Sequence, residues 1–230
     1  YLLAQQVNIE NKKRSYYQTF EESQKSYVFE LNKYDYSHRG YFSIVKKFRL
    51  ILLQSQKIFF ITYLIQKYFS NKNWERRRIF IEAEVFIKML FPILGLFLIN
   101  MMSNIVVNYV ILVFILGTMV ETIMYVLRLI FLADIQNPSA NIYRSIILLF
   151  ENSIQLIFGF AFLYNFSGVI KDSSIIKCIC FAFTRNNADI INNTGFILSS
   201  IQSSVSFIFV GLIFAYFVSN FKQLKFSNDK

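Results

Sequence analysis

Apolar residues fill long runs in the second two thirds of this chain, and polar residues gather in the breaks between them. A bilayer core about 30 Å thick needs about 20 apolar residues in a helix to cross it. Four runs meet that length: one from Ile79 or Val85 to Met101, then Ile105–Leu132, Ile142–Phe166 and Phe196–Val218. The first break, Met102–Asn104, is short and uncharged, with Asn108 as a rival position. The second, Ala133–Asn141, holds Pro138 and predicts a loop. The third is not a simple break. It contains a short amphiphilic segment, 172–183, and then a polar turn before the last run. As a helix, that segment reaches only about 18 Å. It is therefore expected to enter the membrane without crossing, its polar turn buried in protein or facing water.

The first third has another pattern. Residues 1–40 are polar, with helical character over Tyr16–Leu31 and a turn at Asn32–Tyr36. A second helix is expected from near Ser37 through Tyr68. There Lys46, Lys47, Arg49, Lys57 and Lys67 are spread among aliphatic and aromatic residues. Such a basic amphipathic helix suits a membrane interface, and a small cytoplasmic helical hairpin suits it equally. Residue 1 is Tyr, so the chain is read as trimmed. No signal peptide is visible, because Val7–Tyr17 is polar and basic.

Charge fixes an orientation. The net charge is +10, and fifteen of the 24 Lys and Arg residues precede Ile79. A basic segment beside apolar spans belongs at an anionic membrane surface and not on nucleic acid. Both termini are thus expected in the cytoplasm, with loops 70–78 and 133–141 and the tail lysines Lys222, Lys225 and Lys230. The fold class that follows is an all-α membrane protein with four transmembrane helices and a re-entrant pore-helix loop between the last two. Its parts are a cytoplasmic or interfacial helical region at 1–78, a helix pair at 79–136, a pore module at 137–221 and a tail at 222–230.

Candidate chemistry is sparse. Cys178 and Cys180 are two apart, a poor spacing for a helical disulfide, and are read as buried free thiols. With His38 the one histidine, a zinc set cannot be assembled from one chain. No metal spacing, nucleophile turn or phosphate loop suggests an enzyme, and no cofactor is expected. Intramembrane polar residues are more informative. Glu121 and Arg128 share a face of the second span but are two turns apart, so Arg128 is expected to reach for the surface. Glu151, Asn152 and Gln155 lie near one face of the third span, as functional groups or as hydrogen-bonding contacts between helices. On the last span Ser199, Gln202, Ser203 and Ser206 share a face that continues through Val210, Ile213 and Phe217. That face is read as pore-lining, with packing between helices as the alternative. Ser200, Ser204, Gly211 and Ala215 form an adjacent stripe where helices could approach closely.

The order of outer helix, half-helix, polar turn and inner helix resembles the pore modules of two-span potassium channels. Those carry T-T-V-G-Y-G-D-I after the pore helix, and here F-T-R-N-N-A-D-I, Phe183 to Ile190, occupies that place. Asn137-Pro138, Arg144-Ser145-Ile146-Ile147-Leu148-Leu149 and Phe160-Ala161-Phe162-Leu163-Tyr164 are similar to the outer helix of prokaryotic members. Lys33 to Phe42 is similar to an element upstream in such proteins. The resemblance is best over 137–221. It implies a homotetrameric, ion-conducting subunit in a prokaryotic plasma membrane, with the bilayer, further copies of itself and permeant ions as partners. Its filter-equivalent residues are Thr184, Arg185, Asn186, Asn187, Ala188 and Asp189.

The departures bear on selectivity. Filter glycines allow the backbone to aim carbonyls at the ion, and Asn186 and Ala188 stand in their places. Ala takes a left-handed φ only at a cost of about 1–2 kcal/mol. Arg185 replaces a valine. A guanidinium about 5 Å from a cation repels it by about 3 kcal/mol at an effective dielectric of 20. Loss of potassium selectivity is expected. The competing reading is a non-conducting multi-pass subunit of a larger membrane complex.

Overall fold

The computed structural model describes residues 25–29, 31, 43–58, 74–102, 104–132, 142–171, 174–184 and 190–227. At 43 and within 56–58, 74–78, 129–130, 142–145 and 212–227 it describes backbone alone. The elements are α1 (Ser43–Ile58), α2 (Trp74–Met101), α3 (Ile105–Phe131), α4 (Ile142–Ser167), α5 (Ile175–Thr184) and α6 (Asn193–Ser227). Two units are distinguished: Tyr1–Glu84 with Leu127–Pro138, and Val85–Val126 with Ser139–Lys230.

Among the described residues the protein is all-helical, and three helical segments are long and apolar enough to cross a membrane. They are Ile105–Arg128, Ile146–Ser167 and Asn193–Gly211. The protein is therefore a multi-pass membrane protein in class. Helix α2, the counterpart of the first expected span, is not one of the three, and it carries Glu82, Glu84 and Lys88.

Helix α3 shows why these helices suit lipid. Its exposed side carries Ile105, Val106, Tyr109, Val110, Val113, Leu116 and Val120. Its buried side holds Ile115, Met119 and Val126, but also Thr118, Glu121 and Thr122. An ordinary soluble helix places its charges outward and its aliphatics inward. Here the outward face is apolar and the inward face is the more polar one. Small residues let the helices close up. A Cβ on Gly95 would come within 2.7 Å of Ile115 Cδ1 and 3.3 Å of Phe162. One on Gly159 would come within 2.7 Å of Met119 Sδ.

The ends of the helices follow from local capping. Asn104 Oδ1 accepts the Val106 N–H at 3.0 Å, which starts α3 directly after the predicted turn. Asn108, the rival turn position, lies inside α3 and donates to Met102 O. Asn192 Oδ1 accepts the Gly195 N–H at 3.0 Å, so α6 begins at Asn193 and not at Phe196. It then runs beyond Val218 to Ser227, through much of the expected tail. Ser174 Oγ faces the Lys177 N–H at 3.4 Å at the start of α5. Asp172 and Ser173, just before it, lie outside the described residues.

In the other unit, α1 covers part of the expected Ser37–Tyr68 helix; the rest lies outside the described residues. It buries Leu52 and Leu53 together with Arg49 and Ser55, and exposes Ile44 and Ile51. Phe48 meets Phe131 edge to face, with ring centroids 5.3 Å apart.

At the end of α4 the chain turns through Gly168, whose φ is +57°. An L side chain there meets its own carbonyl, a cost of about 1–2 kcal/mol. Open space surrounds the position, so the penalty comes from backbone alone. Gly168→Ala is expected to lower stability by that amount, and Gly168→Asn by less, in reversible unfolding in mixed micelles.

Candidate pore-loop module

Two strands of chain meet just beyond Gly168. Ile170 and Ile190 form an isolated antiparallel bridge, and the Ile191 N–H donates to Val169 O at 2.9 Å. The segment between them therefore leaves and returns at one neck. Helix α5 lies inside this excursion. Its ten residues extend about 15 Å, half the thickness of a bilayer core. The neck is packed from both sides, since a Cβ on Gly195 would stand 2.6 Å from Ile190 Cγ2 and 3.2 Å from Val169 Cβ.

Helix α5 is held by side chains from both neighbours. It packs on α4, and α4 packs on α6. Phe181 meets Tyr164 edge to face at 4.7 Å, and Phe183 meets Phe158 at 6.3 Å. The Tyr164 hydroxyl then donates to Gln202 Oε1 at 2.7 Å, and Gln202 Nε2 donates to Ala182 O at 2.7 Å. Ala182 belongs to the last turn of α5, where carbonyls lack intrahelical donors. Gln202 thus satisfies the carbonyl of a buried residue at the helix end, and it is itself 1% exposed.

The polar stripe of the last helix divides into buried and half-buried positions. Ser199 and Gln202 are buried within the protomer, and Ser203 and Ser206 are half-buried. The expected pore-lining face is turned inward at Gln202, because an amide at this depth needs partners and α4 and α5 supply them. Ile213 has no described side chain. The exposed side of α6 carries Phe196, Ile197, Ile201, Phe207 and Val210, with Ser200 and Ser204 between them. Both serines donate to carbonyls one turn back, Phe196 O and Ser200 O.

Of the filter-equivalent residues, Thr184 is exposed and donates to Cys180 O at 2.9 Å. Arg185, Asn186, Asn187, Ala188 and Asp189 lie outside the described residues. The two thiols differ, against expectation: Cys178 is buried and Cys180 is exposed, since neighbours two apart on a helix face different ways. Burial pushes the Cys178 thiol up from its ordinary range, against a smaller lowering by its hydrogen bond with Asn165.

A second set of polar contacts joins α2, α3 and α4. The Thr122 hydroxyl lies 3.0 Å from both Thr118 O and Gln155 Oε1. One hydroxyl has one proton, so turning the Gln155 amide over satisfies more groups: nitrogen donates to Thr122, and Thr122 donates to Thr118. Gln155 is wholly buried and Asn152 nearly so, while Glu151 is half-buried. Glu121 finds a partner that sequence reasoning missed. Lys88 Nζ on α2 lies 2.8 Å from Glu121 Oε2, with side chains 14% and 10% exposed. Arg128, the residue considered for that role, is buried in the other unit. The signal available was hairpin topology: with a turn at 102–104, Lys88 and Glu121 both fall far from the turn on adjacent helices.

Among the described residues, no three His, Cys, Asp or Glu side chains are grouped as a metal site. No protein-family model, curated protein or solved structure matches the chain.

The hydrogen-bonded pair makes a measurable unit. Gln202→Leu strands a buried carbonyl and is expected to cost about 1–3 kcal/mol, more than Tyr164→Phe. The double variant should reveal a coupling of about 0.6–1.7 kcal/mol, the range for hydrogen bonds within membrane bundles. Unfolding in mixed micelles measures all three; strictly additive losses would show the two groups to be independent.

Proposed function

We propose that the chain is the subunit of an oligomeric, most simply homotetrameric, ion channel whose pore loop lacks potassium selectivity. The observation that carries this reading is the closed excursion at 171–189, with a ten-residue apolar helix inside it, tethered by Gln202 between α4 and α6. A helix too short to cross, whose two ends return to one neck, is the element a pore loop requires. In this reading α2, α3, α4 and α6 are four spans, both termini are cytoplasmic, and the membrane is a prokaryotic plasma membrane. The partners are the bilayer, other copies of the chain and the permeant ions. Arg185, Asn186 and Ala188 in the filter place remove the carbonyl geometry that potassium needs and add positive charge.

The second reading, a non-conducting subunit of a larger membrane complex, is favoured by one observation. With Ser199 and Gln202 buried, the exposed side of α6 is largely aliphatic and aromatic.

Purified protein in a planar bilayer, with potassium on one side and sodium on the other, tests the proposal. Currents with a reversal potential displaced from the potassium equilibrium value are expected. A reversal potential at that value would refute the loss of selectivity. A silent but four-fold assembly would favour the second reading.

A further inference from the structure

The ion pair between α2 and α3 bears on how the first span enters the membrane. Lys88 lies thirteen residues before Met101, about 20 Å along the helix axis. With the 102–104 turn at one surface of a core about 30 Å thick, Lys88 lies within hydrocarbon. An isolated lysine near a span's centre lowers insertion by about a hundredfold. Yet the face of the helix around and beyond it suits lipid: Phe86, Ile87, Leu90, Leu94, Phe97 and Leu98 are all exposed and apolar. The ammonium is turned inward, onto Glu121 at 2.8 Å, and Glu84, one turn earlier on α2, is buried as well. The same two helices are closely joined farther along. Phe91 and Phe114 have ring centroids 4.3 Å apart, and Gly95 admits Ile111 and Ile115.

We propose that α2 crosses the membrane only as a hairpin with α3, its charge carried across by the Lys88–Glu121 pair. Each partner removes the other's reason to stay in water. Glu121 would otherwise place an uncompensated carboxylate on α3, so the dependence runs both ways. Helix α2 is then a conditional span whose insertion waits for the synthesis of α3. This inference rests on the four-span reading and adds an insertion mechanism to it.

The test follows the side on which the turn emerges. Asn104→Cys, in the full chain with Cys178→Ser and Cys180→Ser, is labelled with a membrane-impermeant maleimide in right-side-out and inverted vesicles; Leu224→Cys serves as the reference. Position 104 should label from the side opposite 224. Lys88→Glu alone, or Glu121→Lys alone, should reduce that labelling at least tenfold. The charge swap Lys88→Glu/Glu121→Lys should restore it to within about twofold, and so should Lys88→Met/Glu121→Met, which removes both charges together. Single variants that label like the native chain would overturn the inference and leave four spans intact. A charge swap no better than either single variant would overturn it as well. Labelling of 104 and 224 from the same side in the native chain would sink both the inference and the four-span reading.

Discussion

Hydrocarbon offers a polar group no hydrogen bonds, and most of this structure answers that one constraint. Every buried polar atom has to be answered by another part of the same protein, or it costs several kcal/mol. The protein meets part of the demand with pairs that cross from helix to helix: Lys88 with Glu121, Thr122 with Gln155, Tyr164 with Gln202, and Gln202 with Ala182. These pairs carry specificity. Aliphatic side chains on α3 or α4 pack nearly as well against lipid tails as against each other, so apolar contact alone would leave the helices free to choose neighbours. A glutamine with one tyrosine hydroxyl in reach has far less choice.

The broad architecture was legible because long apolar runs and their breaks report directly on backbone solvation. Asn104 and Asn192 mark helix starts through an oxygen two or three residues from the amides they cap, a purely local signal. Site geometry was less legible because its signals are long-range. A stripe of Ser and Gln on a membrane helix has the same periodicity whether it faces an aqueous pore or a neighbouring helix. What decided Gln202 was Tyr164, 38 positions earlier, and nothing in the spacing on α6 points to it. Glu121 taught the same lesson. A search along α3 finds Arg128 two turns away, while the residue that pairs lies across a hairpin.

The two cysteines show how local periodicity can still be informative when it is read for sides and not only for class. Apolar surroundings suggested that both were buried, but positions two apart on a helix point some 200° around its axis. One faces α5's packing partners and the other faces outward.

The neck at Ile170 and Ile190 has a consequence for sequence change. Because both ends of the excursion are fixed to each other, residues added to or lost from the stretch between them alter its tip and do not alter the register of α4 against α6. The loop behaves as a cassette set into a frame. Its residues can change while the helices that hold it keep their places.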